Sequence, residues 1–212
     1  MEKNKTPENI DNKKITGMFG IPLFEKDFVF KEKIEFIEWT KSLGGRRISN
    51  VGGFQSIDYI TIKNSIKKKF LDQLSMDVGT AIQAYGPGKF SLVCTAVWTN
   101  INGPEAWNVT HTHPQTDFTA TVYFEVPEDS GVLVIDNIDH VAASQRFFAH
   151  PLNVDSIFTR LKYSHHPRKD SLVIFPGHLP HSVSANKSNK ERISISANFE
   201  VERQNETQAN NN

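Results

Sequence analysis

The sequence predicts an α+β protein dominated by strands, and three features carry that expectation. Helical periodicity is confined to the first part of the chain, short β-rich runs separated by turn residues fill the part after Gly88, and no helical pattern falls between those runs. Short strands at that density close into a sandwich or barrel more readily than into a parallel sheet, whose crossovers need helices.

Taken in order, MEKNKTPENIDNKK opens the chain and ERQNETQANNN closes it; both are too polar to bury much surface. They are read as tails, 1–17 and 203–212, around one domain at 18–202. FKEKIEFIEWTKSL, 30–43, places Phe30, Ile34, Ile37 and Trp39 near one helical stripe and ends before Gly44-Gly45. From Ser65 to Ala84, Ile66, Phe70, Leu71, Leu74, Val78 and Ile82 recur at helical intervals until YGPG. These two helices are expected to buttress a sheet built from KFSLVCTAVWTNI, DFTATVYFEV, GVLVID, SLVIF and RISISANFEV. In the last of these Arg192, Ser194, Ser196 and Asn198 share one face, with Ile193, Ile195, Ala197 and Phe199 on the other. Thr119, Thr121, Tyr123 and Glu125 alternate in the same way with Ala120, Val122, Phe124 and Val126. Such polar faces ordinarily meet solvent; the neighbouring histidines suggest another use.

Composition narrows the class. With 212 residues, 38% of them hydrophobic, the chain can bury a core, and one domain is the simplest reading. Lys+Arg and Asp+Glu both number 24, so no global basic field draws in nucleic acid or anionic membrane. The single cysteine, Cys94, excludes an internal disulfide framework and fits a reducing cytoplasm. No apolar run reaches the ~18 residues of a membrane span, and the N-terminus lacks the apolar stretch of a signal peptide. Neither a phosphate loop nor a nucleophile elbow appears; Gly52-Gly53 reads as a tight turn or a close backbone approach.

The chemistry lies in NVTHTHPQ. In an extended segment, His111 and His113 point the same way, and Pro114 then keeps the segment from continuing as a central strand. Neutral imidazoles are common ligands for zinc, iron, copper and nickel, but a metal needs several converging from a rigid frame. SLVIFPGHLPHSV offers the third: an apolar strand, a Pro-Gly turn, then His178 and His181. His181 stands eleven residues before Arg192, a spacing that lets a hairpin bring both to one site.

Taken together and in order, SNVGGFQS, WNVTHTHP, VYFEVPEDSGVL, FPGHLPHSV and ERISISANF resemble the iron(II)- and 2-oxoglutarate-dependent oxygenases of the prolyl-hydroxylase-like superfamily, nearest to small bacterial and phage members. The resemblance implies a double-stranded β-helix, or jelly roll, with helices on its outer sheet. It implies Fe(II) held by His111, His113 and His181, and 2-oxoglutarate as cosubstrate with its far carboxylate on Arg192. Ser194 and Tyr123 are then hydroxyl donors to that ligand. Arginine's planar fork suits the task, giving a carboxylate two parallel hydrogen bonds. One departure from the family is plain: its usual triad is two histidines and a carboxylate in H-x-D/E order, and here His113 stands at the carboxylate position. Asp117, the nearest downstream acid, is the alternative ligand; it lies beyond Pro114 and opens the next strand, so the three histidines are preferred.

The function so implied is hydroxylation of a small molecule or protein side chain, with decarboxylation of 2-oxoglutarate to succinate. Two other readings remain: a three-histidine cupin-type metalloprotein that binds substrate directly, and a non-catalytic jelly-roll module. Trp98, Asn100, Trp107 and Asn108, just upstream of the histidines, either line the pocket or pack the core. His165-His166 read as surface on turn composition, His178 as a structural residue sooner than a rim residue near the metal, and HVAASQRFFAHPLN, with His140 and His150, as a loop or short helix that covers the pocket mouth.

Overall fold

The computed structural model describes residues 21–83, 89–138 and 161–203. HVAASQRFFAHPLN, 140–153, and the expected tails up to 17 and from 204 lie outside them. Arg203, taken as the first tail residue, instead pairs with Phe90 in a strand.

The strands form two antiparallel sheets. β1 (Phe24–Asp27), β3 (Phe54–Gln55), β4 (Phe90–Asn102), β6 (Phe118–Glu125), β9 (Ser171–Pro176) and β11 (Arg192–Arg203) make a six-stranded sheet in the order β1-β9-β6-β11-β4-β3. β2 (Asn50–Val51), β5 (Trp107–His111), β7 (Leu133–Asp136), β8 (Lys162–His165) and β10 (His181–Val183) make a five-stranded sheet in the order β2-β5-β10-β7-β8. Apart from the β3–β4 and β7–β8 pairs, which stay within one sheet, successive strands alternate between the sheets, as in a jelly roll, and all five expected strand runs are present.

Helix α1 (Lys33–Lys41) and helix α2 (Ser65–Gln83) cover the outer face of the six-stranded sheet. α2 begins where Asn64 Oδ1 accepts the Lys67 backbone N–H at 2.8 Å, an N-cap that satisfies one of the open donors of the first turn. Its stripe of Phe70, Leu74, Val78 and Ile82 is buried, as the periodicity indicates. α1 is shorter than its pattern. It starts at Lys33, so Phe36, Ile37 and Thr40 face inward while Ile34, on the opposite side, is 77% exposed. Phe30 precedes the helix and packs inward on its own, edge-on to Phe70 at 5.5 Å. Phe36 stacks on Phe70 at 4.7 Å and meets Phe124 of β6 edge-on at 6.4 Å, which ties helices to sheet. Offset and edge-to-face pairs of this kind each add about 0.5–1.5 kcal/mol beyond burial.

The β2–β3 turn depends on its glycines. Gly52 has φ +76°, and a Cβ on Gly53 would lie 2.6 Å from the carbonyl oxygen of Ile101, so no side chain fits there. Among the described residues no helix is long and apolar enough to cross a membrane.

Candidate active site

The polar faces of β6 and β11 turn toward the five-stranded sheet rather than to solvent. Strand register sets them in rows: Ser196 lies opposite both Trp98 and Thr121, and Ser194 opposite both Asn100 and Tyr123. A cavity between the sheets is lined by these rows and by the three histidines and Arg192.

The histidines come from two strands that pair directly. His181, the first residue of β10, is in register with His111, the last of β5. His113 lies two residues beyond His111 and its backbone N–H bonds the Gly177 carbonyl at 2.9 Å, which keeps the segment extended past the strand's end. The three ring centroids are 4.4–5.2 Å apart, and one nitrogen from each ring lies within 4.8 Å of the others. That cluster could hold a metal ion.

The tautomers favour this. Nδ1 of His111 lies 2.7 Å from the Val109 carbonyl and Nδ1 of His181 lies 2.8 Å from the Leu179 carbonyl. A carbonyl only accepts, so each Nδ1 carries the proton and each Nε2 keeps its lone pair. His113 Nδ1 lies 2.7 Å from both Asn198 Oδ1 and Thr119 Oγ1, on β11 and β6. Partners of this kind fix the orientation of metal-binding imidazoles. Burial also disfavours the charged rings: it lowers the His111 pKa, and with the neighbouring rings it takes His113 to about 4 and His181 to about 3.

Arg192 faces the same cavity from the start of β11. It is 2% exposed, the largest fully buried side chain among the described residues. Nη1 donates to the Ser130 carbonyl at 2.7 Å, while Nε is buried with no partner. Burial lowers its pKa, opposed only by Tyr123, and among the described residues no carboxylate pairs with it. Gly131 makes room: at φ +90° a Cβ there would meet the Ser184 carbonyl at 2.3 Å and Arg192 Nη1 at 3.0 Å. Ser194 and Tyr123 line the cavity near it, and burial raises the Tyr123 hydroxyl to about 12, keeping it a protonated donor.

Several expectations need correction. Asp117, expected only as the alternative to His113, lies outside the three-histidine group. It is exposed, its Oδ2 accepts the Val201 N–H at 2.8 Å, and it lines an outer hollow with His113 and His178. His165 is not at the surface but 4% exposed, in β8, whereas His166 is exposed. Of the four upstream residues, Trp98, Asn100 and Asn108 line the cavity and Trp107 is 40% exposed. A buried amide chain was not anticipated: Asn50 donates to Asn102 at 3.0 Å, Asn102 to Asn108 at 3.1 Å, and Asn108 to Ser49 at 3.3 Å, joining the two sheets. Neither was the guanidinium of Arg46 over the Trp98 ring, 5.4 Å from its centre. Asn198 was legible, since it shares the phase of Arg192; nothing in the sequence singles out Arg46.

Comparison with known proteins agrees with this geometry. Residues 96–198, just under half of the chain and including every histidine of the cluster and Arg192, match the family described as "Putative 2OG-Fe(II) oxygenase". Over that stretch the chain is similar to the 2OG-Fe(II) oxygenases. No curated protein matches it. Among solved structures similar to this chain is the viral collagen prolyl hydroxylase of Paramecium Bursaria Chlorella virus-1, solved with 2OG, at 13% identity and TM-score 0.55, covering 84% of this chain and 94% of that one. The epimerase SnoN from nogalamycin biosynthesis, in complex with Fe3+, alpha ketoglutarate and nogalamycin RO, is similar at 14% identity and TM-score 0.60, covering 84% and 78%. A prolyl-4-hydroxylase of Pseudomonas putida matches at 15% identity and TM-score 0.51, covering 87% and 94%. These likenesses are of fold: a double-stranded β-helix with helices on one sheet.

Proposed function

We propose that the protein is an Fe(II)- and 2-oxoglutarate-dependent hydroxylase, with His111, His113 and His181 as metal ligands and Arg192 as the anchor for the far carboxylate of 2-oxoglutarate. The observation that carries this reading is the Arg192 side chain: a guanidinium buried in the cavity that the histidines share, with an unpartnered Nε and, among the described residues, no acid to balance it. A buried cation without a counter-ion is costly. A dicarboxylate that reaches the metal with one end and Arg192 with the other removes that cost. The all-histidine set fits a divalent ion that prefers imidazole nitrogen, and three protein ligands leave positions open on it.

Iron and 2-oxoglutarate, held by these residues, would supply the oxidising chemistry with dioxygen as oxidant: one oxygen atom of O2 would enter the substrate C–H bond and the other the succinate formed from 2-oxoglutarate with loss of carbon dioxide. The chain's own residues hold and orient. Leu179 and Val109 carbonyls, with Asn198 and Thr119, fix the imidazoles. Tyr123 and Ser194 offer hydroxyl donors beside Arg192. Trp98, Phe175 and Leu133 supply apolar wall that limits water around the reacting carbon.

A three-histidine metalloprotein that binds substrate directly would share the ligand set but leaves Arg192 unexplained. Arg192→Met separates the two readings. In anaerobic, iron-loaded protein, the variant should keep its metal and lose at least about tenfold in 2-oxoglutarate affinity by calorimetry, since ~1.4 kcal/mol is one decade and a charge-assisted pair contributes about that or more. Arg192→Lys should recover part of the loss. Wild-type protein that takes up no 2-oxoglutarate, or a methionine variant that binds it equally well, would overturn the proposal.

A further inference from the structure

A second arginine lacks an acid partner. Arg46 lies with Cζ 5.4 Å from the centre of the Trp98 ring, and its Nε is buried without a hydrogen-bond partner. The charge of Asp58 reaches it, but no ion pair forms, and Asp58 Oδ1 already accepts the N–H groups of Ile60 and Val97, each at 3.0 Å.

The segment that carries Arg46 is fixed. The Arg46 N–H donates to the Gln55 carbonyl at 2.7 Å, the Ile48 N–H donates to Gln55 Oε1 at 3.2 Å, and Gln55 itself is 3% exposed. At Gly45 a Cβ would sit 3.2 Å from the Phe54 ring, so the backbone runs close against β3. The guanidinium is therefore presented from a stapled backbone, which lowers the ordering entropy a ligand must overcome.

Trp98 connects this cation to the metal site. Its indole lines the cavity and meets the His113 ring edge-on at 5.4 Å. Arg46 and His113 are thus separated by one indole. Charge points the same way. Among the described residues, no aspartate or glutamate lines the cavity. Three neutral imidazoles, a divalent ion and Arg192 against the dianion 2-oxoglutarate would leave the described lining with surplus positive charge, and Arg46, not itself a lining residue, stands against the Trp98 indole that is one. In a poorly solvated cavity such a surplus attracts an anion strongly.

We propose that the substrate carries a carboxylate, received by Arg46 over the Trp98 ring while the carbon to be oxidised sits beside the histidines. This rests on the oxygenase reading above and names the substrate class within it. One guanidinium matches the single charge and planar fork of a carboxylate better than the nearly double charge of a phosphate monoester.

The test is one of binding. Protein loaded with Zn(II), which is diamagnetic and takes the same imidazole ligands, is saturated with 2-oxoglutarate. Saturation-transfer NMR then reports on a panel of the standard amino acids, their carboxamides, and O-phosphoethanolamine, which has a phosphate and no carboxylate. The expected result is that the bound members are free acids, that conversion to the carboxamide weakens them at least about tenfold, and that Arg46→Gln weakens the same acids similarly. Arg46→Lys should retain part of the affinity, and melting curves report whether each variant is folded. Acids and carboxamides binding alike, acids binding Arg46→Gln as they bind wild type, O-phosphoethanolamine outcompeting every acid, or no acid binding at all would each overturn the proposal. Titrating 2-oxoglutarate in the same samples keeps the two readings apart. If wild type takes up none, the oxygenase reading itself falls; if both proteins take it up normally, only the substrate class is at stake.

Discussion

On one side of β11, Ile193, Ile195, Ala197 and Phe199 lie under the helices, in a cluster that includes Phe36, Phe70 and Phe124. On the other, one residue out of phase, Arg192, Ser194, Ser196 and Asn198 face the five-stranded sheet. Both sets are largely buried, between 0 and 7% exposed except for the half-buried Asn198. The helix side is apolar and closes on itself. The inner side keeps orphaned polar atoms, Arg192 Nε and Asn100 Oδ1 among them, that an apolar interior would not tolerate without a partner. One face of the strand thus holds the fold together, and the other retains unfinished hydrogen bonding that a ligand can complete.

Substitutions on the two faces should therefore separate metal binding from stability. The largest effect is expected from His181→Ala. Removing a ligand should lower metal affinity by more than the roughly 10–100-fold that loss of an outer partner costs, read by chelator competition, while the melting temperature of the metal-free protein stays close to wild type. Phe70→Ala, on the helix side, should do the reverse: a loss of about 3–5 kcal/mol of folding stability in denaturant titration, with the metal affinity of the folded fraction unchanged. A variant that lost both properties together would break the division. Asn198→Ala lies at the border. His113 keeps Thr119 as a partner, so metal affinity should fall only about tenfold, at the low end of that range.

Acid should act on the inner face first. The metal-free rings of His113 and His181 titrate near 4 and 3 rather than at their ordinary 6.5, because burial disfavours the cation. The unfolded chain therefore binds more protons in this window. Stability is fully present above about 6.5 and declines as pH falls through 4 to 3. Replacing both rings with glutamine should flatten that part of the melting-temperature profile; an unchanged profile would assign the acid sensitivity elsewhere. The smallest effect is expected at Asp117. Asp117→Ala should leave metal affinity within error, since its carboxylate serves the Val201 N–H outside the cavity.

Legibility followed element length. α2 and the five strand runs carry enough residues for a period to show, and the two faces of β11 could be read from eight letters. β2 and β3 have two residues each, and β1, β8 and β10 have three or four, too few for any alternation to be counted. The error at Ile34 came from assuming that the helix began at Phe30; a start three residues later turns the stripe. His165 was misjudged because turn composition around it outweighed its place in a strand. His111, His113 and His181 could be singled out because imidazoles at one-residue spacing are uncommon and because the motif order resembles a known superfamily. Arg46 could not, since its significance comes from Trp98, which is distant in sequence and local only in the folded chain.

The order of strands also bears on how the site comes into being. β11 is an interior strand, hydrogen-bonded to β6 on one side and to β4 on the other, and its partners in β4 lie about a hundred residues earlier in the chain, as in Arg203↔Phe90 and Arg192↔Asn102. Pairings that span so much sequence form slowly, because the intervening loop must be closed before they give any return. During synthesis, His111, His113 and His181 emerge while the slot between β4 and β6 is still open, with Asn198 not yet made to orient His113. Until residues 192–203 insert, the edges of β4 and β6 that pair with β11 have no partner and the His113 ring lacks Asn198. Edge-to-edge aggregation competes with folding in such an interval.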